Sequence, residues 1–473
     1  MQDQKPTIIL GAGPAGLAAG YELVKNNQPV VLIEKQNQAG GMSQTKKFQD
    51  HFYDLGPHRF FSKSKIVNDL WQEVLGDDFL EIPRLTRIYY RKKFFQYPLV
   101  FLDSFVKLGL KDSLWAVFSL LSMKIKRLFI RKPEVSFEDW VSNRFGRKLF
   151  NTFFKSYTEK LWGLSTKDLS ARWASQRIKN LSLVSALKDS LIKAKHGKVQ
   201  TLIDKFHYPK YGAGMMYEKM AEIIEKKHGE IIYGWEVIKI KHNNNKIEAV
   251  VIKKGDETKE INGKNFISSL PIDELIKKME PITSEPVSDA AKNLKFRSLV
   301  IITLMVNTKR VFPDNWIYVH EPDLQVNRIQ DYSNWGSHLK ENQDQTMIGI
   351  EYACWLDDQL WNMSDEEWIA KAKKDFLTLE LVAKEKIGQG IVNKIIEAYP
   401  VYAFDYQNNL DTIFEYLKQF KNFQTIGRSG MFHYNNMDHS VLTGFYAARN
   451  LMGEDHNLFE INVNEDYHET KLP

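Results

Sequence analysis

A cluster of glycines, Gly11-Ala12-Gly13-Pro14-Ala15-Gly16, lies between a short apolar run, Thr7 to Leu10, and a stretch where Leu17, Tyr21 and Val24 recur at helical spacing. A second apolar run, 30–33, closes on the acid Glu34. This strand, glycine turn, helix, strand and acid is the opening of a doubly wound dinucleotide-binding unit, and nothing else in the chain constrains the fold as strongly. Gly11 permits the tight turn, Gly13 lets the backbone approach a pyrophosphate, and Gly16 lets the helix pack closely. The helix N-terminus, entered through Pro14 and Ala15, attracts the anion. Glu34 suits a ribose hydroxyl and would repel a 2′-phosphate.

Beyond it, Glu34-Lys35 leads to Ala39-Gly40-Gly41-Met42-Ser43-Gln44-Thr45. This stretch resembles the FAD-binding superfamily of amine oxidases, protoporphyrinogen oxidases and UDP-galactopyranose mutases, whose second glycine pair follows the ribose-binding acid at this distance. The resemblance implies FAD, with Lys35, Gly40, Gly41, Met42 and Ser43 beside it. Amine oxidases usually carry arginine where Met42 stands, so a phosphate contact made there has to come from elsewhere.

Further stretches narrow the resemblance to the mutases. Tyr53-Asp54-Leu55-Gly56-Pro57-His58 is similar to a loop whose glycine and histidine lie against the flavin. Tyr157-Thr158-Glu159-Lys160-Leu161-Trp162-Gly163, with Ser165 and Lys167, matches a long and unusual string. Phe296-Arg297-Ser298-Leu299, Arg328, Ala398-Tyr399-Pro400-Val401 and Tyr434 correspond to segments that reach the diphosphate or the sugar. Gly427-Arg428 and Asn436-Met437-Asp438, with Ser440, fit the segment that meets flavin and diphosphate. The resemblance therefore implies Tyr157, Trp162, Arg177, Arg297, Arg328, Tyr399, Arg428 and Tyr434 as substrate contacts, with His58, Arg297, Arg328, Tyr399 and Tyr434 closest to the chemistry.

The same residues make sense by themselves. Arginine offers a planar fork to phosphate, tyrosine adds neutral donors, and tryptophan gives a flat wall. A helix starting at Asp438 to Ser440 would aim its positive end at flavin. Each arginine also fits an ordinary ion pair, and Trp162 an ordinary core. His58, with an ordinary pKa of about 6.5, is expected to shuttle protons near the flavin.

The mutase reading is rearrangement of a nucleotide-linked sugar through reduced-flavin N5 adduct chemistry. The alternative is an oxidoreductase of the amine-oxidase, protoporphyrinogen-oxidase or desaturase kind, taking hydride from an organic substrate. An aromatic uridine-binding stretch after Arg177 has no clear counterpart; a Lys-rich insertion, 184–205, stands there instead. A second G-x-G-x-x-G is absent, so NAD(P)H, as external reductant, would visit the flavin without its own fold.

At 473 residues, two or three domains are expected. The fold class read from the pattern is α/β, α+β overall: a Rossmann-like FAD-binding domain from 1–85, 206–275 and 415–473, a mostly helical insertion over 86–205, and an antiparallel-sheet substrate domain over 276–414. Strands are expected at 237–241, 247–252, 266–270, 299–306, 347–352 and 423–426, with the hairpin within 237–252 returning to the first sheet, and a helix over 364–387. A single cysteine, Cys354, excludes an internal disulfide and a Cys-x-x-Cys pair. No metal-ligand or G-x-S-x-G motif occurs, so metal and serine catalysis are not expected. With no signal peptide recognised, a cytoplasmic location is expected. A net charge of +6 suits an anionic small molecule and falls short of a nucleic-acid footprint. Residues 107–132 combine an apolar face with Lys111, Lys124, Lys126, Arg127, Arg131 and Lys132. The first expectation there is a packed helix with a solvated basic side, the second a helix lying on a membrane surface. Whether the chain forms oligomers is left open.

Overall fold

The computed structural model describes residues 5–97, 99, 101–130, 132–177 and 205–461. A five-stranded parallel sheet is assembled from distant places, in spatial order Phe423–Thr425, Asn265–Ser268, Thr7–Leu10, Val30–Glu34 and Glu230–Tyr233. Side chains alternate across a strand. Ile9 and Leu32 therefore pack with helices Pro14–Lys25, Gly214–Lys226 and Met437–Leu451, while Ile8, Leu10 and Ile33 pack with a second layer.

That second layer corrects one expectation. Glu236–Asn243 and Lys246–Lys254 form a hairpin that builds its own four-stranded sheet rather than extending the first. Its buried residues Val237, Ile240, Ile247, Val250 and Ile252 cover the parallel sheet, a role that needs one apolar face only. The next strand, Asn265–Ser268, does rejoin the parallel sheet, beside Thr7–Leu10.

A seven-stranded sheet stands beside these layers, ordered Ile387–Pro400, Phe296–Val306, Thr346–Cys354, Arg328–Asp331, Trp316–Val319, Thr86–Tyr90 and Lys93–Gln96. Even-numbered residues of two central strands, Val300, Ile302, Leu304, Ile348, Ile350 and Tyr352, pack with Trp368 and Phe376 of helix Asp365–Thr378. On the opposite, odd-numbered face, Leu299 and Glu351 border a cavity. The expected helix over 364–387 thus ends at Thr378, and a long edge strand follows whose Gly388 and Gly390 obscure its alternation. The helical insertion likewise starts later than residue 86, because the aromatic-rich Thr86–Tyr90 and Lys93–Gln96 pair as a hairpin. Helices then run over Phe101–Leu108, Leu110–Phe129 and Phe137–Phe145, and from Arg147 through a π-turn, Phe150–Lys155, to Trp162. Most of the Lys-rich stretch 184–205 lies outside the described residues, as does Arg131. Among the described residues, no helix is long and apolar enough to cross a membrane.

Candidate active site

The glycine turn is built as an anion cradle. Gly11 holds φ at +99°, and a Cβ on Gly16 would lie 1.9 Å from the Gly11 carbonyl oxygen. A Cβ on Gly13, by contrast, would meet nothing closer than the Gly41 Cα at 3.9 Å. The Gly40 N–H donates to the Ala12 carbonyl at 2.8 Å, so the two glycine segments are tied together. Helix Pro14–Lys25 has no side-chain cap at its N-terminus, which leaves first-turn N–H groups for an anion. Glu34 is buried and accepts hydrogen bonds from the Ala12 N–H at 2.8 Å and the Gln36 N–H at 2.9 Å, fixing its carboxylate beneath the turn. Lys35 beside it is exposed, whereas Ser43 is buried.

The far end of the chain closes on the same place. Gly427, at φ +78°, sits so near Ala15 that a Cβ would lie 3.1 Å from that methyl, and its N–H donates to Thr443 Oγ1. Helix Met437–Leu451 crosses the first helix at Gly444, where a Cβ would lie 1.9 Å from the Ala15 carbonyl oxygen. Asn436 and His439 cap this helix reciprocally. Asp438, in its first turn, is pushed up to about 6 by burial, against the pull of Ser62 and Arg59. Ser440 is buried just behind it. Open backbone at Gly13, an uncapped helix end and a buried acid under the turn together fit the pyrophosphate and ribose of FAD.

A cavity of about 550 Å³ lies against the face of the seven-stranded sheet that carries Leu299, Tyr318, Arg328 and Glu351. Met42, Gly56, Pro57, His58, Tyr157, Trp162, Arg328, Tyr399, Arg428, Tyr434 and Asp438 all line it, so residues spread from 42 to 438 converge on one space. Tyr399 and Tyr434 stack with centroids 5.2 Å apart and planes 11° from parallel. The Arg428 guanidinium lies 5.4 and 5.1 Å from their centroids and donates to the carbonyls of Asn435 and Ala398. Trp162, expected as either core or wall, is both: it is 1% exposed, borders the cavity and packs edge-on against Trp173. Tyr157 stacks on His320 at 4.6 Å.

Arg328 is tied down. Its guanidinium donates to both oxygens of Glu351, at 3.0, 3.0 and 2.7 Å, across neighbouring strands in which the two residues are register partners. Glu351 was not expected from the sequence, yet it stands as a lone charge in the apolar run Met347 to Cys354. That isolation is a usable signal, because a buried charge needs a partner.

Two expectations are corrected. Arg297 does not border the cavity. It sits at the start of strand Phe296–Val306, and its guanidinium donates to the carbonyls of Leu161, Lys160 and Ala353 while lying 4.5 Å from the Trp355 ring. Arg297 therefore ties off the carboxyl end of helix Ser156–Trp162, where unpaired carbonyls and the helix dipole favour a cation. His58, for its part, does not keep an ordinary pKa: burial, then the charges of Arg428 and Arg328, push it down to about 3. It is a neutral ring at physiological pH, with Nδ1 lacking a protein partner. Arg177 ends helix Ala171–Arg177, and its side chain lies outside the described residues.

The comparisons agree with this geometry. The chain aligns with an L-amino acid oxidase of Crotalus durissus cumanensis at 37% identity over 65 residues, 14% of this chain and 13% of the oxidase's length. Its fold is similar to that of reduced UDP-galactopyranose mutase, with a TM-score of 0.83, 19% identity and 98% of each chain covered. A protoporphyrinogen-oxidase-like protein from Exiguobacterium gives a TM-score of 0.72 at 15% identity, covering 95% of this chain and 99% of that one. At such identities the likeness is one of fold. The model of the flavin-containing amine oxidoreductase family matches residues 14–379, so that the cradle, the cavity and the match converge: the chain is an FAD-dependent enzyme of the flavin-containing amine oxidoreductase family.

Proposed function

We propose that the chain rearranges a nucleotide-linked sugar, holding the diphosphate of its substrate beside the flavin. The observation that supports this reading is the polar part of the cavity wall. Four arginines, at 59, 84, 328 and 428, border it against two acids, Glu351 and Asp438, a balance that a dianionic diphosphate completes. Bound FAD supplies a two-electron centre that is nucleophilic when reduced. Arg428 and the hydroxyls of Tyr399 and Tyr434 would hold the departing diphosphate for re-addition, which lowers the entropic cost of recombination. Trp162 would give the sugar a flat wall. His58, neutral, would offer a hydrogen bond without adding a charge. The test is incubation of dithionite-reduced protein with a panel of UDP- and dTDP-sugars, read by chromatography for a ring-isomerised product. Protein that is fully reduced and leaves every sugar unchanged would remove this reading.

A second reading rests on a different part of the wall. Leu99, Phe105, Leu108, Leu149 and Phe153 make it broadly apolar, which suits hydride removal from a larger, flatter organic substrate. Turnover of such a substrate that consumes oxygen or another electron acceptor would favour it.

A further inference from the structure

Helix Leu110–Phe129 is amphipathic in the wrong sense for a packed helix. The residues it buries are small or few, Ser113, Ala116 and Leu120. Its large apolar residues point the other way. Leu110, Leu114, Phe118, Leu121, Ile125 and Leu128 follow one another at steps of three and four, which is a single stripe on a helix, and all are at least half exposed; Phe118 is 60% and Leu128 78% exposed. The expectation of an inward apolar face is thereby reversed. A stripe of this length left in water is unfavourable, and monomeric proteins rarely carry one without a purpose.

The flanks of the stripe say what covers it. At 100° per residue, Lys111 falls along one edge and Lys124 along the other. Both are exposed, and no acid pairs with them among the described residues. The rest of the helix surface is anchored inward by acids: Asp112 takes Arg91 and Lys148, and Glu134 takes Arg127. Trp115 lies at the stripe's margin and stacks on Phe118 at 5.6 Å, an amphipathic ring of the kind that settles at a water–lipid boundary. The same region borders the cavity, because helix Phe101–Leu108, joined at Gly109, contributes Phe105 and Leu108 to the apolar part of its wall.

We propose that helix Leu110–Phe129 docks the enzyme on an anionic phospholipid surface, with the stripe dipped into the interface and the lysines among the headgroups. The docking is peripheral and independent of which reaction the flavin carries out.

The test is co-sedimentation of the FAD-loaded full chain with phosphatidylcholine vesicles, with and without about one third phosphatidylglycerol, at low and high salt. Binding is expected to the anionic vesicles, to weaken with salt, and to fall about fivefold for each of Lys111→Gln and Lys124→Gln. The double variant Phe118→Glu/Ile125→Glu, which changes exposed positions only, is expected to abolish binding while keeping flavin absorbance and circular dichroism. Vesicle binding that survives this variant overturns the proposal. So does absence of binding, whether the chain then sediments as a monomer or as a dimer that the variant dissociates; the latter would assign the stripe to a second copy of the chain.

Discussion

Replacing Glu351 by glutamine keeps the side chain's shape and removes its charge. The wild-type pair has three N–H···O contacts of 2.7 to 3.0 Å, with side chains 3% and 18% exposed, so the Arg328 guanidinium would be left in a desolvated place without its counter-charge. Breaking such a pair by removing one partner costs about 3 to 5 kcal/mol. That corresponds to roughly a hundredfold to a few thousandfold in the folding equilibrium. Removing both charges in Arg328→Met/Glu351→Leu leaves no orphan, and the cost is expected to fall within about 1 to 2 kcal/mol of wild type. The double-mutant cycle of Arg328→Met, Glu351→Leu and their combination should therefore give a coupling of at least about 2 kcal/mol. The assay is urea unfolding at fixed excess FAD, because bound cofactor adds to apparent stability, followed by both tryptophan fluorescence and flavin release. If Glu351→Gln costs less than about 1 kcal/mol, or if the single changes simply add, burial of a compensated charge pair does not describe this site.

Other perturbations follow from single observations. The pKa of His58 falls from 6.5 unfolded to about 3 folded, so protons bind the unfolded chain preferentially and stability drops as pH falls through this window. His58→Asn should remove about 2 kcal/mol of that loss between pH 7 and 5, measured as the difference between the two proteins' unfolding free energies; an unchanged pH slope would contradict it. Asp438 works in the opposite sense: its folded pKa of about 6 lies above the ordinary 3.8, so it lowers stability as pH rises through 6. Asp438→Asn should then raise the melting temperature more at pH 8 than at pH 5. Gly13→Ala meets no protein atom nearer than 3.9 Å and should yield folded protein with at least about tenfold weaker FAD binding, read from the ratio of absorbance at flavin and protein bands. Gly163→Ala places a Cβ 2.5 Å from the Arg297 Cζ and 2.6 Å from the Trp355 Nε1 at φ +66° and should cost about 3 kcal/mol in the same urea-unfolding assay; a cost under about 1 kcal/mol would contradict it.

The cofactor cradle was legible because its reasons are local. A turn needs Gly11, close packing needs Gly16, and both needs appear in consecutive letters. The strands Phe296–Val306 and Thr346–Cys354 were legible for the same reason, as β-rich runs with clear ends. What pairs with what was not. Arg297 and Arg328 look alike in sequence, yet one ends up on helix carbonyls and the other on Glu351, a choice made by strand register and by where helix Ser156–Trp162 stops. The low pKa of His58 arises first from its burial in the assembled cavity wall and then from arginines 270 and 370 residues further on, neither of which a local pattern reports. Helix Leu110–Phe129 shows the limit most plainly: its periodicity announces a helix with one apolar face, but only the packing of Ser113, Ala116 and Leu120 reveals which way that face turns.

The parallel sheet takes neighbouring strands from residues 7–10, 265–268 and 423–425, and the first helix is wedged against one that begins at Met437. A ribosome emits these pieces in order, so the nucleotide-gripping layer waits, incomplete, until the residues past Met437 have emerged. Stop codons before residue 423 should thus yield species that never turn yellow, however well their middle portion folds. Cofactor capture would then serve as a checkpoint that synthesis has passed helix Met437–Leu451.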